Sequence, residues 1–136
     1  MRDLVLDATV VTPWFDPKRP ADDQARNVRA QFEAGALSVT VPWLLFLEVV
    51  NVAGRQWRWG DAALAELATA LTDIGFEGAD PALASVAVWV ARGLTAYDAA
   101  YVALAEARGV SLVTTDREIL ALARDIAHTP ARALEG

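Results

Sequence analysis

The sequence has 136 residues, 54% of them hydrophobic, and a formal net charge of −6. This length predicts one domain, residues 1–136, with a hydrophobic core of ordinary size. Cysteine does not occur and the one histidine is His128, which excludes disulfides and zinc sites built on cysteine or histidine. The negative charge gives no long-range attraction for nucleic acids, so a nucleic-acid substrate would need local arginines, bound cations or a partner.

The apolar run between Asp3 and Asp7 is far too short for the core of a signal peptide, and no run approaches the length of a transmembrane helix. We therefore expect a cytoplasmic protein without a membrane segment.

The N-terminal segment predicts a strand that ends at an acid. Leu4–Leu6 is apolar and is followed by Asp7 and, two residues later, by Thr9. Asp7 would lie at the carboxyl end of the strand, where open α/β sheets bind ligands. The alternative, in which Asp7 or Thr9 caps the next helix, fits the spacing equally well. Three prolines in residues 12–20 then predict a loop with at most a short helix.

The next segment predicts a helix, a strand and a second helix. Residues 21–34 mix polar and apolar residues at helical spacing, which indicates an amphipathic surface helix ended by Gly35. Leu37–Val41 predicts the second strand, and Pro42 suits the first turn of a helix that continues to Ala53.

Glu48 is the only charged residue of that second helix, which is otherwise apolar nearly all round and is expected to be buried. Burying an ionised carboxylate costs several kcal/mol unless it is paired or binds a metal. Glu48 is therefore a candidate for a functional site, with a salt bridge to an arginine as the structural alternative.

Residues 55–60 break the apolar pattern with two arginines and two tryptophans. Arg55, Trp57 and Arg58 could hold a single-stranded nucleic acid through phosphate contacts and base stacking. An exposed helix end or a partner contact is the alternative.

Three further elements lead to the centre of the chain. Ala62–Thr72 predicts a helix, Ile74–Glu77 a short strand, and Pro81–Arg92 another helix with Asp80 as its N-cap.

The following segment carries two more acids. Thr95 has the chemistry of an N-cap, and Asp98 falls three residues later, in the first turn of a helix that Gly109 ends. Ser111–Thr114 predicts a short buried strand with Asp116 just beyond its carboxyl end. A helix over residues 117–124, an edge strand over 126–129 and a frayed tail complete the chain.

This order of elements predicts a three-layer α/β/α domain with a mostly parallel, roughly five-stranded sheet. Asp7, Glu48, Asp98 and Asp116 are expected to converge in it. Two unit charges about 4 Å apart repel by roughly 4 kcal/mol at an effective dielectric of about 20, so four such acids would need cations or raised pKa values. Oxygen ligands favour Mg²⁺ or Mn²⁺, whose usual work in acidic sites is phosphoryl-transfer chemistry.

The segments Leu4–Thr9, Pro42–Asn51, Leu94–Tyr101 and Val113–Arg117 each contain one of these acids. In order and spacing they resemble the four acidic motifs of PIN domains, and most of all those of VapC-type toxins of bacterial toxin–antitoxin pairs. The Thr-Ala-Tyr-Asp-Ala-Ala-Tyr segment is the most specific of them. Trp14–Pro20 is idiosyncratic and is a candidate for shaping the substrate entrance.

The resemblance implies an endoribonuclease dependent on Mg²⁺ or Mn²⁺, commonly a homodimer and silenced by a cognate antitoxin. It implies catalytic and metal-binding roles for the four acids, with Thr9 and Thr115 as hydroxyls beside them.

Two alternatives come from other classes of protein. An aspartyl-phosphate protein would need a lysine near the site from a later strand, but the only lysine, Lys18, falls in the first loop. A catalytically silent interaction module would be expected to lack one of the acids, and none is missing.

Overall fold

The computed structural model describes residues 1–20 and 22–135, which form a parallel sheet flanked by helices. The five strands of this part are β1 (Arg2–Leu6), β2 (Leu37–Val41), β3 (Glu77–Gly78), β4 (Ser111–Val113) and β5 (Ala127–His128). Their order is β3-β2-β1-β4-β5, and every neighbouring pair is parallel.

The helices cover the sheet, and all but the last, which follows β5, lie between strands in sequence. They are α1 (Ala8–Val11), α2 (Asp23–Glu33), α3 (Leu44–Arg55), α4 (Asp61–Asp73), α5 (Leu83–Ala91), α6 (Ala96–Arg108), α7 (Arg117–Leu122) and α8 (Pro130–Ala133), with a 3₁₀ helix, Thr12–Phe15, directly after α1. The predicted three-layer α/β/α class is confirmed.

Strand β1 is central in the sheet and fixes the position of the first acid. Leu4, Val5 and Leu6 are at most 1% exposed, because a parallel sheet is covered on both faces. Leu6 pairs with Val113 of β4, so the residues that follow these two strands lie side by side at the carboxyl edge of the sheet. The backbone N–H of Asp7 donates to the carbonyl oxygen of Val113 over 3.0 Å, which continues the pairing to the acid.

Helix α6 begins and ends as predicted. The Thr95 hydroxyl accepts a hydrogen bond from the backbone N–H of Asp98 at 3.1 Å, which caps the helix and fixes Asp98 in its first turn. Gly109 ends the helix at φ 66°, a left-handed conformation that glycine adopts without a steric penalty.

Helix α3 begins at Leu44, two residues after the predicted start at Pro42, and Asp80 stabilises this start. Pro42 precedes the helix, and the backbone N–H of Trp43 donates to Asp80 Oδ1 at 3.2 Å. Asp80 was predicted to cap α5 instead, but Ala82 occupies that N-cap position and makes no side-chain cap. A tertiary contact therefore replaces the predicted local one.

The expected burial of α3 on all sides is wrong. Leu45, Val49 and Ala53 face the core, whereas Trp43 is 63% and Leu47 71% exposed. The apolar outer face of this helix is therefore a surface feature of the protein.

Several other boundaries shift. Strand β3 begins at Glu77 rather than Ile74, because α4 extends to Asp73 and Ile74 forms its C-cap. Helix α7 ends at Leu122 rather than residue 124. The tail predicted to fray forms α8 instead, capped by the Thr129 hydroxyl.

Helix α2 begins at Asp23, with Asp22 as its N-cap. Its predicted start, residue 21, lies outside the described residues. None of the helices in the described ranges is both long and apolar enough to cross a bilayer.

Candidate active site

Asp7 lies at the carboxyl end of β1 and is 4% exposed. It occupies the N-cap position of α1, but its side chain makes no capping hydrogen bond there. Instead its Oδ2 accepts from the hydroxyls of Thr9, at 2.8 Å, and Thr114, at 2.6 Å. The capping alternative therefore does not describe the Asp7 side chain.

The two threonines connect the first acid to the loop after β4. Thr114 Oγ1 also accepts from the backbone N–H of Asp116 at 3.0 Å, and Thr9 Oγ1 accepts from that of Thr115 at 3.1 Å. Each hydroxyl thus donates its one hydrogen to Asp7 and accepts from a backbone amide. This network fixes the Asp7 carboxylate relative to Asp116.

Thr114 takes the position that the sequence analysis gave to Thr115. Thr114 is fully buried, whereas Thr115 is exposed and contributes its backbone N–H. The strand register contains the signal that was missed: since Leu6 pairs with Val113, the next residues, Asp7 and Thr114, become neighbours.

Glu48 lies on α3 and is half-buried, and its partner is a phenol rather than an arginine. The Tyr101 hydroxyl, on α6, donates to Glu48 Oε1 over 2.6 Å. Tyr101 is 1% exposed, and a buried tyrosine hydroxyl needs such a partner. Tyr101 was not predicted from the sequence, although it falls three residues after Asp98 and hence on the same face of α6.

Asp98 and Asp116 are both half-buried at the start of a helix. Asp98 lies in the first turn of α6, and Asp116 is the N-cap of α7, where its Oδ1 accepts from the backbone N–H of Ile119 at 3.0 Å. Asp116 therefore stabilises a helix with one carboxylate oxygen, while its other oxygen makes no hydrogen bond to residues 1–20 or 22–135.

The four acids influence one another electrostatically. Burial raises the pKa of Asp7, and the negative charge of Asp116 raises it further, while the hydroxyls of Thr114 and Thr9 lower it. Burial also raises the pKa of Glu48, which the Tyr101 hydrogen bond lowers and the charges of Asp7 and Asp98 raise. The pKa of Asp98 is raised first by burial and then by Asp116 and Asp7.

The four acids form no ion pair with an arginine or lysine of residues 1–20 and 22–135. The ion pairs of the described residues are Arg26–Asp23, Arg29–Glu33 and Arg108–Glu77, and none includes a residue of the acidic site. An arginine partner for Glu48, the structural alternative, is therefore absent from residues 1–20 and 22–135.

A donor set of carboxylates suits a hard divalent cation such as Mg²⁺ or Mn²⁺. Across the described ranges, however, no three acidic or histidine side chains already lie close enough together to hold an ion. The acids are thus close enough to shift one another's pKa values, but they are not arranged to coordinate one ion together. Their chemistry fits a divalent cation, and binding one would require the carboxylates to move closer together.

Two open grooves meet at Glu48. One, of about 610 Å³, is lined among others by Thr9, Arg19, Glu48 and Trp57. The other, of about 740 Å³, is lined among others by Leu47, Glu48, Tyr97 and Asp98. The site is therefore accessible from two sides.

Of the three residues predicted to contact nucleic acid, the structure brings one close to the acids. Trp57 shares a groove with Glu48, whereas Arg55 and Arg58 are exposed and do not line it. Arg19 also lines this groove. It belongs to Trp14–Pro20, the segment considered for shaping the substrate entrance, although Arg19 itself was not singled out.

The family model of the PIN domain matches residues 4–125. The chain belongs to the PIN domain family. The resemblance noted from the four acidic segments is thereby confirmed. PIN domains are in general nucleases, which places the chain in a family of phosphodiester hydrolases.

Solved structures agree with this PIN fold. PAE2754 from Pyrobaculum aerophilum is 28% identical with a TM-score of 0.69, over 96% of this chain and 91% of that one. FitAcB from Neisseria gonorrhoeae shares the fold at 13% identity and a TM-score of 0.69, over 94% of this chain and 98% of that one. FitAB bound to the IR36 DNA fragment shares it at 12% identity and a TM-score of 0.65, over 93% and 94%. No curated protein matches the chain in sequence.

Proposed function

We propose that this PIN domain is an endoribonuclease dependent on Mg²⁺ or Mn²⁺ and the toxin of a type II toxin–antitoxin pair of the VapC type. The observation that carries the proposal is the mutual electrostatic influence of four acids at the carboxyl edge of the sheet, none of which forms an ion pair within the described residues. Folding alone does not require such a cluster, because the cluster destabilises the ionised forms of its own carboxylates.

In this proposal Asp7, Glu48, Asp98 and Asp116 would hold the cation. A divalent cation bound there supplies electrostatic stabilisation of the phosphate and activation of a water molecule. The other residues keep the acids ready for it. The two threonine hydroxyls hold one oxygen of Asp7, and the Tyr101 hydroxyl holds one oxygen of Glu48.

The toxin assignment rests on family membership and on the likeness of the four acidic segments to VapC-type toxins. It implies a cognate antitoxin, a homodimer and action on cellular RNA in the cytoplasm. The exposed apolar side chains of Leu47 and Tyr97, beside the acidic site, support a partner surface. We further propose that residues 1–136 act as one domain, since the family model spans nearly all of them.

A catalytically silent PIN interaction module is the second candidate. The exposed apolar surface is compatible with it, but such a module would not need all four acids. Cleavage therefore distinguishes the two candidates.

The test uses a circular single-stranded RNA, which only an endonuclease can open. We expect wild-type protein to linearise it with Mg²⁺ or Mn²⁺ and not with EDTA. Asp98→Asn should be inactive, and Asp73→Asn, which neutralises an exposed acid at the end of α4, should remain active. Calorimetric titration of Mg²⁺ into both variants provides a readout that does not depend on activity. Cleavage by pure Asp98→Asn at the wild-type rate would refute the assignment.

A further inference from the structure

The groove of about 610 Å³ contains a cation and an aromatic ring that the proposed acidic chemistry does not use. Arg19 is exposed and takes part in none of the ion pairs of the described residues. Asp16 Oδ1 accepts from the backbone N–H groups of Lys18, at 2.9 Å, and Arg19, at 3.2 Å. The loop that carries Arg19 is therefore held in a turn at the edge of the groove.

Trp57 lies on the same groove and is held by a second tryptophan. It is half-buried, and its ring centroid lies 5.3 Å from that of Trp59 with the planes tilted by 50°. A tryptophan fixed in this way presents aromatic surface without losing further side-chain freedom on binding. Both residues lie beside Thr9 and Glu48, so the groove is continuous with the acidic site.

We propose that this groove binds single-stranded RNA, with one unpaired base stacked on Trp57 and a phosphate against Arg19. The proposal rests on the ribonuclease function proposed above and goes beyond it by naming the form of the RNA and the residues that hold it. A base can stack on a side chain only when it is unpaired, and freeing it from a duplex costs free energy. The chain as a whole carries a charge of −6, so a local cation is needed beside the acids to retain a phosphate.

Binding is measured in an Asp98→Asn background, in which the proposed cleavage is blocked. The probe is a fluorescein-labelled RNA hexamer of adenine and cytosine, followed by fluorescence anisotropy. Trp57→Leu should weaken binding about 5- to 150-fold, the range expected for loss of one stacked base, while Trp57→Phe should keep most of the affinity. Arg19→Ala should reduce the slope of log affinity against log salt by about 0.7, the value for one phosphate contact in a single strand.

Arg124→Ala is the matched control, because Arg124 is an exposed arginine that does not line this groove. Its salt slope should equal that of the parent. A labelled RNA duplex should bind more weakly, and Trp57→Leu should not change its affinity.

Hexamer affinities of Trp57→Leu and Arg19→Ala within twofold of the parent, with unchanged salt slopes, would overturn the proposal. A failure of the ribonuclease assignment has a different signature, namely a circular RNA left intact by wild-type protein. The binding experiment does not depend on that result.

Discussion

Thr114 donates a hydrogen bond of 2.6 Å to Asp7 across two neighbouring parallel strands, and the same hydroxyl accepts from the amide of Asp116. One buried side chain therefore positions two of the four acids. The contact follows from the pairing of Leu6 with Val113, which places the next residues opposite each other.

We predict that Thr114→Val keeps the fold but impairs the site. Valine has nearly the same shape and donates no hydrogen bond, so the pKa of Asp7 should rise further, because that hydrogen bond lowers it. The acidic limb of the profile of kcat/KM against pH should move to higher pH. The amide of Asp116 also loses its acceptor, which should cost about 1–3 kcal/mol in denaturant unfolding.

Thr114→Ser is the matched control, since it keeps the hydroxyl. We expect it to retain the wild-type pH profile. An unchanged profile in Thr114→Val would show that the contact does not tune Asp7.

Tyr101→Phe tests the bond between α6 and α3. Loss of the phenol should raise the pKa of Glu48, because the hydrogen bond from Tyr101 lowers it. Glu48 would then be protonated over more of the pH range, so calorimetry at mildly acidic pH should show weaker Mg²⁺ binding than in wild type. Tyr97→Phe removes the hydroxyl of an exposed tyrosine of the same helix and should bind Mg²⁺ normally.

Elements with a local cause are those that could be predicted from the sequence. Thr95 and Gly109 cap α6 through groups a few residues away, and Leu37–Val41 is a strand because a buried parallel strand requires an apolar run. The four acids also come within electrostatic reach of one another, as expected from the element ends that carry Asp7, Asp98 and Asp116 and from the apolar helix that carries Glu48. Their catalytic and metal-binding roles stay predictions.

The features that were not predicted depend on contacts between residues that are far apart in the sequence. Asp80 stabilises the start of α3 instead of α5 because β2 and β3 bring it to Trp43. Thr114 rather than Thr115 meets Asp7 because of the strand register. Arg19 reaches the groove of Trp57 through the fold of the proline-rich loop, which no periodicity describes.

The apolar outer face of α3 gives a prediction about assembly. Leu47 is 71% exposed, so Leu47→Glu should leave the free energy of unfolding of a monomer nearly unchanged. If this face binds a partner, the variant should shift the molecular mass in analytical ultracentrifugation towards the monomer or lose a co-purifying protein. Glu66→Gln, on an exposed position of α4, is the control. A strict monomer in wild type, with nothing co-purifying from its native operon, would count against the partner surface.

The raised pKa values predict how stability depends on pH in the presence of EDTA. Asp7, Glu48 and Asp98 each have a folded pKa above the ordinary carboxyl value of about 4. The folded state then binds more protons than the unfolded state, so the free energy of unfolding should fall as pH rises from about 4 through the raised values. Asp98→Asn should make this decline shallower, and Asp73→Asn should not. Equal slopes for wild type and both variants, measured by denaturant unfolding, would contradict a raised pKa of Asp98.

The last prediction separates a shared metal site from four unrelated carboxylates. If the acids repel one another, Asp98→Asn and Glu48→Gln should be more stable than wild type in EDTA at neutral pH, since each removes one negative charge from the cluster. Asp116→Ala is a mixed case, because Asp116 also caps α7, and replacing an N-cap residue by alanine costs about 0.5–2 kcal/mol. In wild type, Mg²⁺ at about 100 times its dissociation constant should add roughly 2.7 kcal/mol, provided that only the folded state binds it. Asp98→Asn should lose most of that gain.

The measurement is denaturant unfolding of wild type and the variants, with EDTA and with excess Mg²⁺, and the sign of the stability change in EDTA decides between the two cases. If Asp98→Asn and Glu48→Gln are both less stable than wild type in EDTA, and all three proteins respond equally to Mg²⁺, the acids do not share an ion. The proposed nuclease then loses its physical basis.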